Sequence, residues 1–140
     1  MSVYKKLLQR ELAKVPIKVG VIGAGQMGFG MIAQISRIPG MIVAGICDVN
    51  IDAAQRAGDY YKSQSSGKGN VIITNDFRKV IQATEVEVVV DATGIPEVGA
   101  NISMEALLAK KHLVLLNVEV DITIGSIMYQ MFENAGLVYT

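Results

Sequence analysis

One stretch limits what this 140-residue chain can fold into more than any other. An apolar run (Ile17, Val19, Val21, Ile22) enters Gly23-Ala24-Gly25-Gln26-Met27-Gly28 and leaves as Met31, Ile32 and Ile35. A strand inside a parallel sheet is apolar on both faces, whereas Met27, Met31 and Ile35 recur at the four-residue spacing of one helical face. The period changes across the glycines, so the segment reads as strand, tight turn, helix. Gly23 turns where a β-carbon would clash, Gly25 lets a pyrophosphate reach the main chain, and Gly28 lets the helix pack closely. The helix N-terminus, with Gln26 and Met27 in its first turn, then offers unpaired N–H groups and the positive end of its dipole to anionic oxygens.

Three glycines alone are a weak signal, and context has to support them. The dinucleotide fingerprint requires a strand before, a helix after, and an acidic residue about twenty positions on at the end of a second strand. Met41 to Ile46 is a second apolar run, and Asp48 follows it, placed to accept hydrogen bonds from an adenosine ribose. The competing reading is a turn of the same shape that only packs tightly or binds another nucleotide.

Composition excludes several classes. Net charge is zero, and neither a basic stripe nor an aromatic-basic interleave is present, so nucleic acid is not an expected partner. The apolar runs are strand-length, short of the roughly twenty residues that span a bilayer, so no membrane partner is expected. Met1 to Lys14 carries charges throughout and has no apolar signal core, and the single cysteine has no disulfide mate; both point to the cytoplasm. One domain is expected at this length.

Along the chain, residues 1–16 read as an amphipathic helix (Tyr4, Leu7, Leu8, Glu11, Leu12) ended by Val15-Pro16, and 17–140 as the α/β domain. Pro39-Gly40 stops the first crossover helix. Cys47 is either a small apolar filler or a nucleophile without a paired base. Ile51 to Tyr61 is a helix started by Asn50 or Asp52, Lys62 to Asn70 a loop, and Val71 to Thr74 a third strand. Asn75 or Asp76 caps a helix carrying Phe77, Val80 and Ile81, and Val86 to Val90 is a fourth strand. It empties into Asp91-Ala92-Thr93-Gly94 at the carboxyl edge of the sheet, where open α/β folds bind ligands. Thr93 and Gly94 are therefore cofactor-loop candidates, against an ordinary strand-to-helix turn with Pro96 at the first helical position. Ile102, Ala106 and Ala109 form the inner face of the next helix, with Lys110, Lys111 and His112 in its last turn. Leu113 to Leu116 is the fifth strand. Asn117-Val118-Glu119-Val120-Asp121 follows at the carboxyl edge: Asn117 and Glu119 complete the candidate cofactor-binding set, Glu119 and Asp121 are within reach of substrate, or else Asp121 caps the last helix and Glu119 is solvated. Ile124, Ile127, Met128, Met131 and Phe132 trace that helix's core face. Leu137 to Tyr139 begins a sixth strand.

Taken together, Ile17 to Gly28, Gly45-Ile46-Cys47-Asp48, Asp91-Ala92-Thr93-Gly94 and Asn117 to Asp121 resemble the homoserine-dehydrogenase-like NAD(P)-dependent oxidoreductases over nearly all of the chain. The leading helix and the Asn-Val-Glu-x-Asp segment carry a narrower resemblance to the deoxyxylulose-phosphate-reductoisomerase-like branch, whose longer chains continue into a catalytic domain and a SAF domain. The resemblance implies that the catalytic residues lie beyond the sixth strand and that this chain holds none of them.

The expected fold is a doubly wound Rossmann sheet of order 3-2-1-4-5-6. Its expected function is NAD(P) binding for an oxidoreductase that moves hydride to or from a small carbonyl or alcohol substrate, no metal being involved. The alternative is a nucleotide-sensing module without chemistry. Asp48 favours NAD slightly, because a carboxylate repels a 2′-phosphate, while Asn50 and Arg56 lie close enough in sequence to offset that. A cofactor domain without its catalytic partner exposes apolar surface, so a homo-oligomer is expected.

Overall fold

A computed structural model describes residues 1–65, 69–116 and 118–140, the side chains at 118 and 119 excepted. Five parallel strands, β1 (Ile17–Ile22), β2 (Met41–Cys47), β3 (Ile72–Thr74), β4 (Val88–Asp91) and β5 (His112–Leu115), form one sheet in the order β3-β2-β1-β4-β5. The order reverses between β1 and β4, the switch point at whose carboxyl side such sheets open a crevice. Helices α2 (Gln26–Ile35) and α3 (Ile51–Gln64) cover one face; α4 (Phe77–Ile81), α5 (Pro96–Leu108) and α6 (Val118–Asn134) cover the other.

The two-residue period of the strands divides the core between these faces. Val19 and Val21 of β1, and Val90 of β4, pack with Ile32, Ile35, Ala54 and Tyr61. Ile22 and Val89 point the other way, to Ile81, Ile102, Met128 and Phe132. A β-carbon at Gly20 would stand 2.5 Å from Val80 Cγ1, so α4 comes close because β1 has no side chain there. On the opposite face Val43 N donates to the buried Tyr61 hydroxyl at 3.0 Å, which ties α3 to β2.

Helix starts follow the expected chemistry, with the alternatives resolved. Asn50 accepts from Asp52 N at 3.1 Å and caps α3; Asp76, not Asn75, accepts from Arg78 N at 3.0 Å and caps α4. Pro96 opens α5. The leading helix is α1 (Val3–Leu12), capped by Ser2, with none of its residues buried. Its Glu11 Oε2 accepts from Gly40 N at 2.8 Å, which docks α1 on the turn between α2 and β2.

Five expectations require correction. The buried line of α2 is Gly28, Ile32 and Ile35, and Met27 is 59% exposed, because Gly28 must face the turn for the helix to approach it. Helix α3 runs on to Gln64, into the stretch expected to be loop; 66–68 lie outside the described residues. His112 is not in the last turn of α5 but is the first residue of β5, since α5 ends at Leu108 and Lys110 turns the chain with φ 59°. On α6, Met128 and Phe132 are buried, but Ile127 and Met131 face solvent. Finally, Leu137 to Tyr139 forms no sixth strand: one parallel bridge, Leu113 to Tyr139, joins it to β5, with Leu113 N donating to Val138 O at 2.9 Å.

Candidate functional site

The turn after β1 is built around missing side chains. Gly23 has φ +99°, and a β-carbon there would lie 2.7 Å from the carbonyl carbon and oxygen of Ala92. A β-carbon at Gly28 would lie 1.7 Å from Gly23 O. These two glycines are therefore required by the protein's own backbone, one for its left-handed conformation and the other for close approach. Gly25 differs. It stands at the N-cap of α2 in extended conformation, supplies no side-chain cap, and has no described atom within 4 Å of its would-be β-carbon. Its bare side faces open space in front of the helix N-terminus, where Gln26 and Met27 are exposed and the first-turn N–H groups have no intrahelical acceptor.

Asp48, just beyond β2, turns back to this loop. Its Oδ2 accepts from Ala24 N at 2.7 Å and its Oδ1 from Asn50 N at 2.9 Å. Each carboxylate oxygen accepts about two hydrogen bonds, so one site on each remains for a further donor. That is room for a pair of vicinal hydroxyls. The carboxylate also fastens the second strand's end to the glycine turn, a role that the sequence reading did not foresee.

Between these parts runs a cleft of about 290 Å³, lined among others by Gly23, Gly25, Asp48, Val49, Thr93 and Ile95. Val49, two residues past the end of β2, and Ile95, in the loop from β4 to α5, are exposed apolar side chains that were missed, although an apolar residue in a loop at the carboxyl edge is a signal. Thr93 lines the cleft, and Gly94 beside it has φ +69° with open space around it. A larger hollow of about 520 Å³ lies along Leu115, Asp121, Ser126, Tyr129 and Tyr139. It includes neither the glycine turn nor the amide groups of α2, so the smaller cleft is where a phosphate can be bound.

The second candidate segment is placed differently from expectation. Asn117 lies outside the described residues, and Glu119 falls in the first turn of α6, its side chain likewise outside them. Because α6 begins at Val118, Asp121 is helical and caps nothing; its Oδ1 accepts from the Tyr139 hydroxyl at 3.4 Å.

Neither Cys47 nor His112 offers chemistry. His112 sits at the amino edge of the sheet, away from the cleft, and its Nδ1 accepts from Val138 N at 3.0 Å. Burial, then the nearby carboxylates of Asp48 and Asp76, push the Cys47 thiol up to about 12. It is the apolar filler and not a nucleophile. A thiol with a raised pKa in the folded state stabilises the fold fully below its ordinary value of 9.0 and loses that contribution as pH rises toward 12. Lower stability at alkaline pH is the expected result: it should fall as pH rises from 9.0 toward about 12, and Cys47→Ala should flatten the fall. Urea titrations at pH 8 to 11 check it; identical slopes for wild type and variant would contradict it. Among the described residues no group of three His, Cys, Asp or Glu could hold a metal, and no helix is long and apolar enough to cross a membrane.

Residues 17–116 match the family model described as dihydrodipicolinate reductase, N-terminus. Among curated proteins, a glycosyl hydrolase family 109 protein of Streptomyces coelicolor is 29% identical over 101 residues, 71% of this chain and 21% of that protein. One from Shewanella baltica is 29% identical over 98 residues, 69% of this chain and 21% of its own length. The match thus spans about a fifth of those relatives. Among solved structures, a homoserine dehydrogenase from Thiobacillus denitrificans superposes with a TM-score of 0.71 at 22% identity, covering 87% of this chain and 28% of that one. The myo-inositol dehydrogenase of Lactobacillus casei, in complex with NAD(H) and myo-inositol, gives 0.68 at 20%, covering 85% and 34%. A 3-ketoreductase from Actinomadura kijaniata, in complex with TDP-benzene and NADP, gives 0.70 at 20%, covering 87% and 37%. These likenesses establish the fold.

Proposed function

The chain belongs to the family of the dihydrodipicolinate reductase N-terminus, and from that premise we propose that it is the NAD(P)-binding domain of an oxidoreductase acting on a small carbonyl or alcohol. The observation that carries this reading is the open side of Gly25 at an uncapped helix N-terminus, facing a cleft whose far wall is Asp48. The three glycines thus divide into two that the fold itself needs and one whose bareness serves only something outside it.

The chain's own residues would divide the work by chemistry. The α2 amides and Gly25 take the pyrophosphate, Asp48 takes two ribose hydroxyls, and Val49 and Ile95 flank a flat apolar base. The nicotinamide cofactor, when bound, supplies hydride chemistry, for which the protein contributes orientation and electrostatics. The narrower membership, in the deoxyxylulose-phosphate-reductoisomerase-like branch, is also a proposal. The leading helix and the Asn117 to Asp121 segment support it; a reading frame that continues into catalytic and SAF domains would bear it out, and one without them would remove it.

For cofactor choice the reading is NAD over NADP. A carboxylate meeting a 2′-phosphate in a partly solvated site costs on the order of 1 to 4 kcal/mol. Arg56, the closest cation in sequence, is exposed on α3, one turn and more beyond its start. The wild type should therefore bind NAD about tenfold or more tightly than NADP. Asp48→Ala should lose NAD affinity and shift the ratio toward NADP, without a large absolute gain because Ala24 N also loses its acceptor. Dissociation constants for both cofactors and both proteins decide it. A wild type that prefers NADP, with neither constant changed in the variant, would remove Asp48 as the ribose ligand.

A further inference from the structure

The wall of the cleft opposite Asp48 is held from beneath by a side chain that does not line the cleft. Asp91, the last residue of β4, is 0% exposed. Its Oδ1 accepts from Thr93 N at 3.0 Å and from Thr93 Oγ1 at 2.8 Å, and Thr93 Oγ1 in turn accepts from Ile95 N at 3.5 Å. Ile95 is the N-cap residue of α5, so the threonine hydroxyl meets the main chain at the entry of that helix. The main chain on either side is fixed too: Ala92 N donates to Ile22 O and Leu116 N to Asp91 O, both at 2.8 Å.

The glycine turn rests on this segment. The absent side chain of Gly23 is what lets it lie on the Ala92 carbonyl, and Gly28 packs in turn on Gly23 O. We infer that Asp91 is a positioning residue for dinucleotide binding: acting through Thr93, it sets the Ala92 to Ile95 wall at the distance from Asp48 and Gly25 that the cleft needs. The inference rests on the reading of this cleft as the cofactor site. It does not need Asp91 to touch the ligand. A carboxylate suits this position better than an amide, because a charged acceptor makes the stronger pair of bonds to one N–H and one hydroxyl.

The test is a double-mutant cycle in dinucleotide binding, read by calorimetric titration with NAD and with NADP at a temperature where circular dichroism shows every variant folded. Asp91→Asn should weaken binding of the preferred dinucleotide by about tenfold. In a Thr93→Val background the same change should cost less affinity than in the wild type, since the part of its effect that runs through the Thr93 hydroxyl is already gone. A residue that only stabilised the fold would lower Tm and leave the affinity of the folded protein alone. Equal losses in the two backgrounds, or an Asp91→Asn affinity within twofold of wild type, would overturn the inference. If Asp91→Asn does not fold, Thr93→Ser and Thr93→Val decide: the serine keeps both hydroxyl bonds and should bind within about twofold of wild type, the valine should not, and equal behaviour overturns the inference. A folded wild type that binds neither dinucleotide overturns the cofactor reading itself, and that arm separates the two failures.

Discussion

Gly28→Ala should unfold this chain or cost it more than about 4 kcal/mol, although alanine is the better helix former. Helix propensity favours the substitution by about 1 kcal/mol. Against that, the new β-carbon would stand 1.7 Å from Gly23 O and 2.7 Å from Gly23 C, both main-chain atoms that no rotamer change can move. Relief requires α2 to slide off the turn, and with it go Ile32 and Ile35, which are almost wholly buried against β1 and α3. A domain of this size has roughly 5 to 15 kcal/mol in all, so the loss is a large part of the total. Urea denaturation checks it. A midpoint within experimental error of wild type would mean that α2 does not approach the turn as closely as described.

Three residues earlier the same class of substitution should do the opposite. Gly25→Val places its side chain in open space at a backbone conformation, φ −72° and ψ −162°, that any residue adopts. The fold should lose only about 1 kcal/mol, from replacing an N-cap glycine by a residue that caps poorly. Dinucleotide affinity should fall by about a hundredfold or more, because the branched side chain fills the space in which a pyrophosphate would meet the α2 amides. Thermal melts and calorimetric titration of one preparation give both quantities. A folded variant with unchanged affinity would remove the phosphate cradle from Gly25.

Part of the contrast between these glycines was legible in the sequence, where the motif gives Gly23 to the turn, Gly25 to a pyrophosphate and Gly28 to close packing. The structure adds what they meet: Gly23 lies on the Ala92 carbonyl, Gly28 on the Gly23 carbonyl, and the space beside Gly25 is open. Strand order over five strands followed from the doubly wound template, while the α2 turn and the placement of Asp48 were legible from a local period and a short spacing. What was misread depended on tertiary contact. The buried face of α2 is rotated from Met27 and Met31 to Gly28 and Ile32 by the demand for close approach at the turn. The exit from α5 comes early because Lys110 turns with positive φ and Lys111 folds back to donate to the carbonyls of Ala83 and Val86. Burial holds that ammonium below its ordinary pKa. Asp91 escaped notice as a working residue for a related reason: an aspartate two residues before a threonine signals a turn, but not its complete burial.

The central claim is that the cleft between the glycine turn, Asp48 and Thr93 binds a nicotinamide dinucleotide. Titration of the folded wild-type chain with NAD and with NADP, with Gly25→Val alongside, tests it most directly. The expected result is a saturable single site for at least one dinucleotide in the wild type and affinity lower by about a hundredfold or more in the variant; no binding of either by a folded wild type at millimolar concentration would contradict it.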